Sequence, residues 1–318
     1  MTSPPPPPRS RLSPVYTGSE NDGRLVPPGW LDQAPVTKAL IALNVGAFLV
    51  EVAVSHGVSE LPTSDGLALG ASYSLATLYE GRFETLVTAC FLHAGIVHLL
   101  FNMLALWQAG PLVERAVGSA RMAPMYLVAG IFGNLLSVGY GWFAHAGGMT
   151  VGASGAISGV LGAALVVYWR IAGWRSPMTQ AMARWLGLVI GFGVLMNVTG
   201  GRIDNAAHVG GALAGAGIAA LWKRGARYSS AATRGILAGC GAVLVACIAV
   251  VAVRDSSDPF ASMALHDRIE FTSDALTAGR CPDAQSGLRA VERLGAKLAA
   301  GNSLRREVET SCGPTPSR

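Results

Sequence analysis

Charge is what this sequence has least of. Only 14% of its 318 residues are Asp, Glu, Lys or Arg, where a soluble domain carries roughly a quarter. With 51% hydrophobic residues and 40 glycines, the shortage excludes an ordinary soluble domain and points to a polytopic helical membrane protein. No Lys/Arg cluster is interleaved with aromatics, so the net charge of +5 reads as membrane-flanking loops and no nucleic-acid partner is expected. The five cysteines (Cys90, Cys240, Cys247, Cys281 and Cys312) form no C-x-x-C pair, so no metal site and no cofactor are expected. Cys240 and Cys247 fall in an apolar run and read as packing residues. Residues 1–35 lack an apolar h-region before Val36 and carry five consecutive prolines at 4–8. They read as a disordered Pro-rich tail and not as a secretory signal.

What the sequence does hold is apolar runs. A bilayer core takes about 20 apolar residues per helix, and seven stretches qualify: 37–54, 93–113, 122–144, 152–172, 183–200, 205–222 and 235–253. Orientation follows from Lys and Arg. Arg9, Arg11, Arg24 and Lys38 precede the first span, Arg115 and Arg121 follow the second, and Arg170, Arg175 and Arg184 follow the fourth. Lys223, Arg224, Arg227 and Arg234 follow the sixth. The alternate loops are poor in positive charge, so the N-terminus is expected on the cytoplasmic side. The expected domains are the tail 1–35, a six-helix core 36–222, a loop and seventh helix 223–253, and a helical tail 254–318. With seven spans that last segment lies outside. An oxidising compartment permits disulfides, and Cys281–Cys312 is the expected pair.

Polar groups inside spanning helices are costly and mark function by default. On this topology His93, His98 and Asn102 begin the second span, Ser154 begins the fourth, and His208 lies one turn into the sixth. All three spans run inward, so these side chains share the outer half of the bilayer. His98 and Asn102 stand at i, i+4 and share a face. His208, Gly211 and Gly215 form one small face, and Ser154, Ser158 and Gly162, flanked by Gly155 and Gly159, form another. Small faces let helix backbones approach closely, and packing these two sets Ser154 beside His208. A neutral imidazole at hydrogen-bond distance activates a serine. Asn102, His98 and the backbone N–H of Ser154 are candidate oxyanion donors. No Asp or Glu stands at this level as a third member, so a Ser–His dyad is expected. Singly, G-x-S-G in an apolar helix is more often close packing, and Ala156 breaks the G-x-S-x-G elbow. His93 and His98 as metal ligands have poor spacing at i, i+5.

These motifs resemble the rhomboid family of intramembrane serine proteases over residues 36–222. HAGIVHLLFNMLALW at 93–107 is similar to its H-x-x-x-x-H-x-x-x-N segment, ERAVGS at 114–119 to the following loop, GASG at 152–155 to the nucleophile motif, and AHVGGALAG at 207–215 to the histidine helix. The resemblance implies an all-α polytopic fold with a rhomboid-like six-helix core plus a seventh C-terminal helix. It implies Ser154 as nucleophile and His208 as base, with His98 and Asn102 on the oxyanion. His93, Gly152, Gly155, Gly211 and Gly215 support them. It also implies transmembrane protein substrates, a multi-pass location in the cell membrane, and a gate built from the fifth span and loop 199–204. Two positions depart from the family: Ser158 replaces an aromatic that stacks on the histidine, and RFETLVT at 82–88 stands where a Trp-Arg pair is common. Two other classes compete. A catalytically inactive relative that binds membrane proteins should lack Ser or His, and a small-solute transporter should show internally repeated spans. Neither feature is found.

Overall fold

A computed structural model describes residues 34–57, 59–144, 148–199, 203–223, 228–295 and 299–314. The Pro-rich segment 1–33 and residues 200–202 of the expected gate loop lie outside the described residues.

The first long helix, α1, spans Pro35–Ser55 and starts on a proline, whose missing N–H costs nothing at a helix start. A broken segment follows: α2 (Thr63–Ala68), strand β1 (Ser72–Tyr73), α3 (Ser74–Tyr79) and α4 (Thr85–Thr88). Then come α5 (Ile96–Val117), α6 (Ser119–Phe143), strand β2 (Met149–Thr150), α7 (Ser154–Ala172), α8 (Pro177–Val198), α9 (Asn205–Leu221) and α10 (Ser230–Ser257). Three polar helices close the chain: α11 (Leu265–Thr277), α12 (Cys281–Arg293) and α13 (Ala299–Cys312). Strands β1 and β2 pair antiparallel, Tyr73 opposite Met149.

Among the described residues six helices are long and apolar enough to cross a membrane: α1, α5, α6, α7, α8 and α10. The seventh apolar helix, α9, has 17 residues, the short end of the spanning range. Some helix ends differ from the apolar windows read from the sequence. The fifth begins at Pro177, six residues before the expected 183, and the last runs from Ser230 to Ser257 instead of 235–253. Caps set these starts, Pro177 at the head of α8 and the Ser229 hydroxyl accepting from Ala232 N–H ahead of α10. The second begins at Ile96, which leaves His93 in the turn before it.

Helix α7 is the centre, packed by α5, α6, α8 and α9. Its contact with α9 is made of glycines. A Cβ added to Gly211 would overlap the Gly155 carbonyl, one on Gly215 the Gly159 carbonyl, and one on Gly162 the Ala212 carbonyl. The stripe facing α9 is therefore Gly155, Gly159 and Gly162, one residue round the helix from the expected Ser154/Ser158/Gly162 face. Ser158 is fully buried, and its hydroxyl has no partner among the described residues. Gly133 of α6 closes the junction, 2.8 Å in Cβ terms from the Ala207 carbonyl and 3.4 Å from the Gly155 Cα. At the opposite end of the bundle, Glu114 of the ERAVGS segment accepts from the free N–H groups of Val36 (3.0 Å) and Thr37 (2.8 Å) and from the Ser119 hydroxyl (2.6 Å). That motif locks the start of α1 to the α5–α6 turn. Helix α10 lies at the rim against α6, with no buried residue of its own.

The three terminal helices pack on one another around Ala275, Ala284, Leu288, Val291, Leu304 and Val308. A disulfide joins Cys281, first in α12, to Cys312, last in α13. Cys240 and Cys247 are half-buried on α10, and Cys90 is buried, its sulfur accepting from Asn134 Nδ2 at 3.3 Å.

Candidate active site

Three helix starts converge at one end of the bundle: α5 with His98, α7 with Ser154, and α9 with His208. His208 Nε2 lies 2.9 Å from Ser154 Oγ. The glycine contact below them produces this approach. Because α7 and α9 touch backbone to backbone, two short side chains on their first turns reach one another. His208 is buried, and its Nδ1 has no partner among the described residues. Among the described residues no carboxylate is hydrogen-bonded to the ring.

Gly152 lies beside the pair. This glycine has φ of +131°, a backbone region that L side chains rarely adopt. A Cβ built on it would stand 2.7 Å from His98 Cε1, 3.0 Å from His98 Nε2 and 3.7 Å from Ser154 Oγ. The His98 imidazole and the serine hydroxyl therefore border the same spot. His98 Nδ1 accepts the Ala94 N–H at 3.3 Å, so in the neutral ring the proton is on Nε2, the nitrogen nearest that spot. Asn102, one turn deeper on α5, is buried with Nδ2 lacking a partner among the described residues. The Gly152 N–H is not free for a ligand, since it donates to the Ala89 carbonyl at 2.9 Å.

His93 is fully buried with its ring edge-on to His98, centroids 5.3 Å apart. Its backbone N–H donates to both oxygens of Glu51, at 3.0 and 3.1 Å. Gly155 and Gly211 take part in the helix contact, and Gly215 does so one turn below. Among the described residues no group of His, Cys, Asp and Glu is arranged to hold a metal ion.

Two positioning residues escaped the sequence reading. Asp204 caps α9 by accepting the Ala207 N–H at 2.9 Å, and its other oxygen accepts from the hydroxyls of Ser137 on α6 and Thr150 on β2 (3.2 Å for Thr150). One carboxylate thus ties the histidine helix to the strand that leads into Gly152. An Asp directly before a helical apolar run is an N-cap signal, and this one lay in plain view. Glu51 lies near the end of the first apolar run, and nothing in the sequence pairs it with His93. At the α8 end, the Asn197 side chain donates to the Ile203 carbonyl (2.8 Å) and accepts its N–H (2.7 Å), which seats the chain just before Asp204.

Fold and site together define a multi-pass helical membrane protein with a half-buried serine beside a buried histidine at one end of a glycine-packed helix trio. The sequence pattern of the rhomboid domain matches residues 80–225. The chain is 31% identical over 183 residues to the putative rhomboid protease YdcA of Bacillus subtilis, covering 57% of this chain and 85% of that protein. It is 35% identical over 183 residues to the rhomboid protease GluP of the same organism, covering 56% of this chain but 33% of GluP, and 28% identical over 214 residues to rhomboid-like protease 1 of Toxoplasma gondii, covering 63% and 71%. The chain belongs to the rhomboid family. Its match spans a third of GluP and 43% of RHOMBOID-like protein 5 of Arabidopsis thaliana.

Proposed function

We propose that this protein is an intramembrane serine endopeptidase that cleaves transmembrane protein substrates near the extracytoplasmic face. The observation that carries this reading is the 2.9 Å approach of His208 Nε2 to Ser154 Oγ. His208 with its proton on Nδ1 takes the serine proton as Oγ attacks the scissile carbonyl. It then returns that proton to the departing amine, leaving an acyl group on Ser154. A water, deprotonated by the same imidazole, releases the acyl chain. The oxyanion forms in the space over Gly152, where His98 Nε2–H faces it and Asn102 Nδ2 is the second donor. Removing such a donor costs roughly 10²–10³ in rate. The Lys/Arg distribution puts the Ser154 end of the bundle outside and the N-terminus in the cytoplasm.

The test is reconstitution of the full chain in lipid vesicles with a single-span model substrate. Wild type is expected to cleave it and to label at Ser154 with a fluorophosphonate. Ser154→Ala and His208→Ala are each expected to lose at least about 10³-fold in kcat. Cleavage by Ser154→Ala at the wild-type rate would overturn the mechanism.

A further inference from the structure

The C-terminal helices are not a free tail. They are seated on the first loop, at the same end of the bundle as Ser154, and the contact is built from buried charge. Glu80, at the end of α3, faces three guanidinium groups: Arg82 at 2.7 Å, Arg268 at 2.7 Å and Arg293 at 3.7 Å. Arg268 is fully buried, and every nitrogen of its head is used. Its Nε donates to the Met263 carbonyl (3.0 Å), Nη1 to Glu80 and the Ala290 carbonyl (2.8 Å), and Nη2 to the Phe260 carbonyl (2.8 Å). Arg82, from the stretch that replaces the family's Trp-Arg pair, donates to the Ala261 carbonyl, and Arg254 at the end of α10 pairs with Glu84.

Apolar contact continues this seat toward the site. Leu294 and Leu265 join one cluster with Leu67, Tyr73 and Leu92 of the first loop and Met149 and Val151 beside β2. Tyr73 pairs with Met149 across the two strands. Thr150 holds Asp204, Val151 is in the cluster, and Gly152 floors the site and bonds back to Ala89. An unbroken chain of packed residues therefore runs from Arg268 to the serine turn.

We infer that α11–α13 form a built-in brace for the first loop and that Arg268 is a positioning residue for the Gly152–Ser154 turn. The kinetic half of the inference rests on the protease reading; the structural half does not. Glu80→Gln leaves the buried Arg82 and Arg268 without their carboxylate in a poorly solvated place, the costly case, and Arg268→Met takes the guanidinium donor from the Met263, Ala290 and Phe260 carbonyls. A displacement of the loop then reaches the site as misplacement, which costs up to about a hundredfold in turnover for an ångström.

The experiment uses the full chain in vesicles, with Arg268→Met and the isosteric Glu80→Gln as two independent breaks and Arg280→Ala as control. Arg280 pairs with Asp283 on the exposed side of the same module. Two readouts are taken: hydrogen exchange of backbone amides over 71–94 and 149–153, and kcat and KM on the model substrate. Both breaks are expected to speed exchange in those windows and to lower kcat by about tenfold or more while KM stays within about twofold. The control is expected to change neither. Faster exchange in a chain whose wild type does not cleave would keep the brace and remove the protease reading. Unchanged exchange and unchanged kcat in Glu80→Gln, or faster exchange with wild-type kcat in both variants, would overturn Arg268 as a positioning residue.

Discussion

Between α7 and α9, glycine sets backbone against backbone, and charge enters at the far end from Ser154, where Arg170 donates to the Ala219 and Ala220 carbonyls; between the first loop and α11–α12, a carboxylate and three arginines stand at the centre of the contact. The difference follows the solvent. Lipid tails are as apolar as leucine, so helices gain nothing by merely hiding apolar surface and must gain from close approach. Charge is expensive there, and the α7–α9 contact holds Arg170 at the far end of both helices, on carbonyls of the last turn of α9. The terminal module is polar on its outside and keeps a small apolar core inside, so burial holds it together and ion pairs fix its place. The two regions should therefore fail under different insults: added volume for the first, lost charge or reductant for the second.

The largest effect is expected where the glycine contact is filled. Gly211→Leu puts a side chain where even a Cβ overlaps the Gly155 carbonyl. Overpacking of a core costs about 1–3 kcal/mol when neighbours can move and more when, as here, the obstacle is backbone. The helices must part, and Ser154 and His208 part with them. Fluorophosphonate labelling and cleavage should both fall to background, and the thermal midpoint should drop. Labelling at the wild-type rate would mean that the pair does not depend on the glycine contact.

Next comes a substitution that separates the site from the scaffold. Gly152→Ala fills the space beside His98 Nε2 and Ser154 Oγ. We expect kcat to fall by about 10²–10³ with only a small shift in thermal midpoint. Gly173→Ala is the control, since Gly173 also has positive φ, +77°, but nothing stands within 4 Å of its Cβ position. Backbone strain should cost the two variants alike, about 1–3 kcal/mol. Only the loss of turnover should be peculiar to Gly152.

The regions also differ in how far they could be read before any coordinates. Periodicity alone exposes a glycine face, because i, i+4 and i+7 lie on one side of a helix whatever surrounds it. That is why Ser154, His208, Gly211 and Gly215 could be set together on paper, with an error of one residue in the stripe on α7. The loop and tail have no such period. Glu80 and Arg268 are 188 residues apart, and a long-range ion pair leaves no mark in sequence. Glu51 and Glu114 leave no mark of their partners either: each bonds to distant backbone N–H groups, which every residue but proline offers. Helix ends were misplaced where a cap, and not hydropathy, decides them, as at Pro177 and Ser229.

The smallest effect sharpens the comparison most. The disulfide closes a 31-residue separation, for which cross-linking stabilises by about 4 kcal/mol in the chain-entropy account. It ties α12 to α13, whereas the seat on the first loop is made by Arg268, Arg293 and Leu294, from α11 and the end of α12. Cys281→Ser/Cys312→Ser should therefore loosen α13, exposing Leu304 and Val308 to protease, while cleavage of the model substrate falls by no more than about twofold. Reductant on wild type should do the same. The Gly211→Leu phenotype should not appear under either condition, since the bond lies outside the glycine trio. If reductant instead lowers turnover as far as Glu80→Gln does, the covalent link carries the seating of the loop. The charge cluster around Glu80 would then be a consequence of that seating and not its cause.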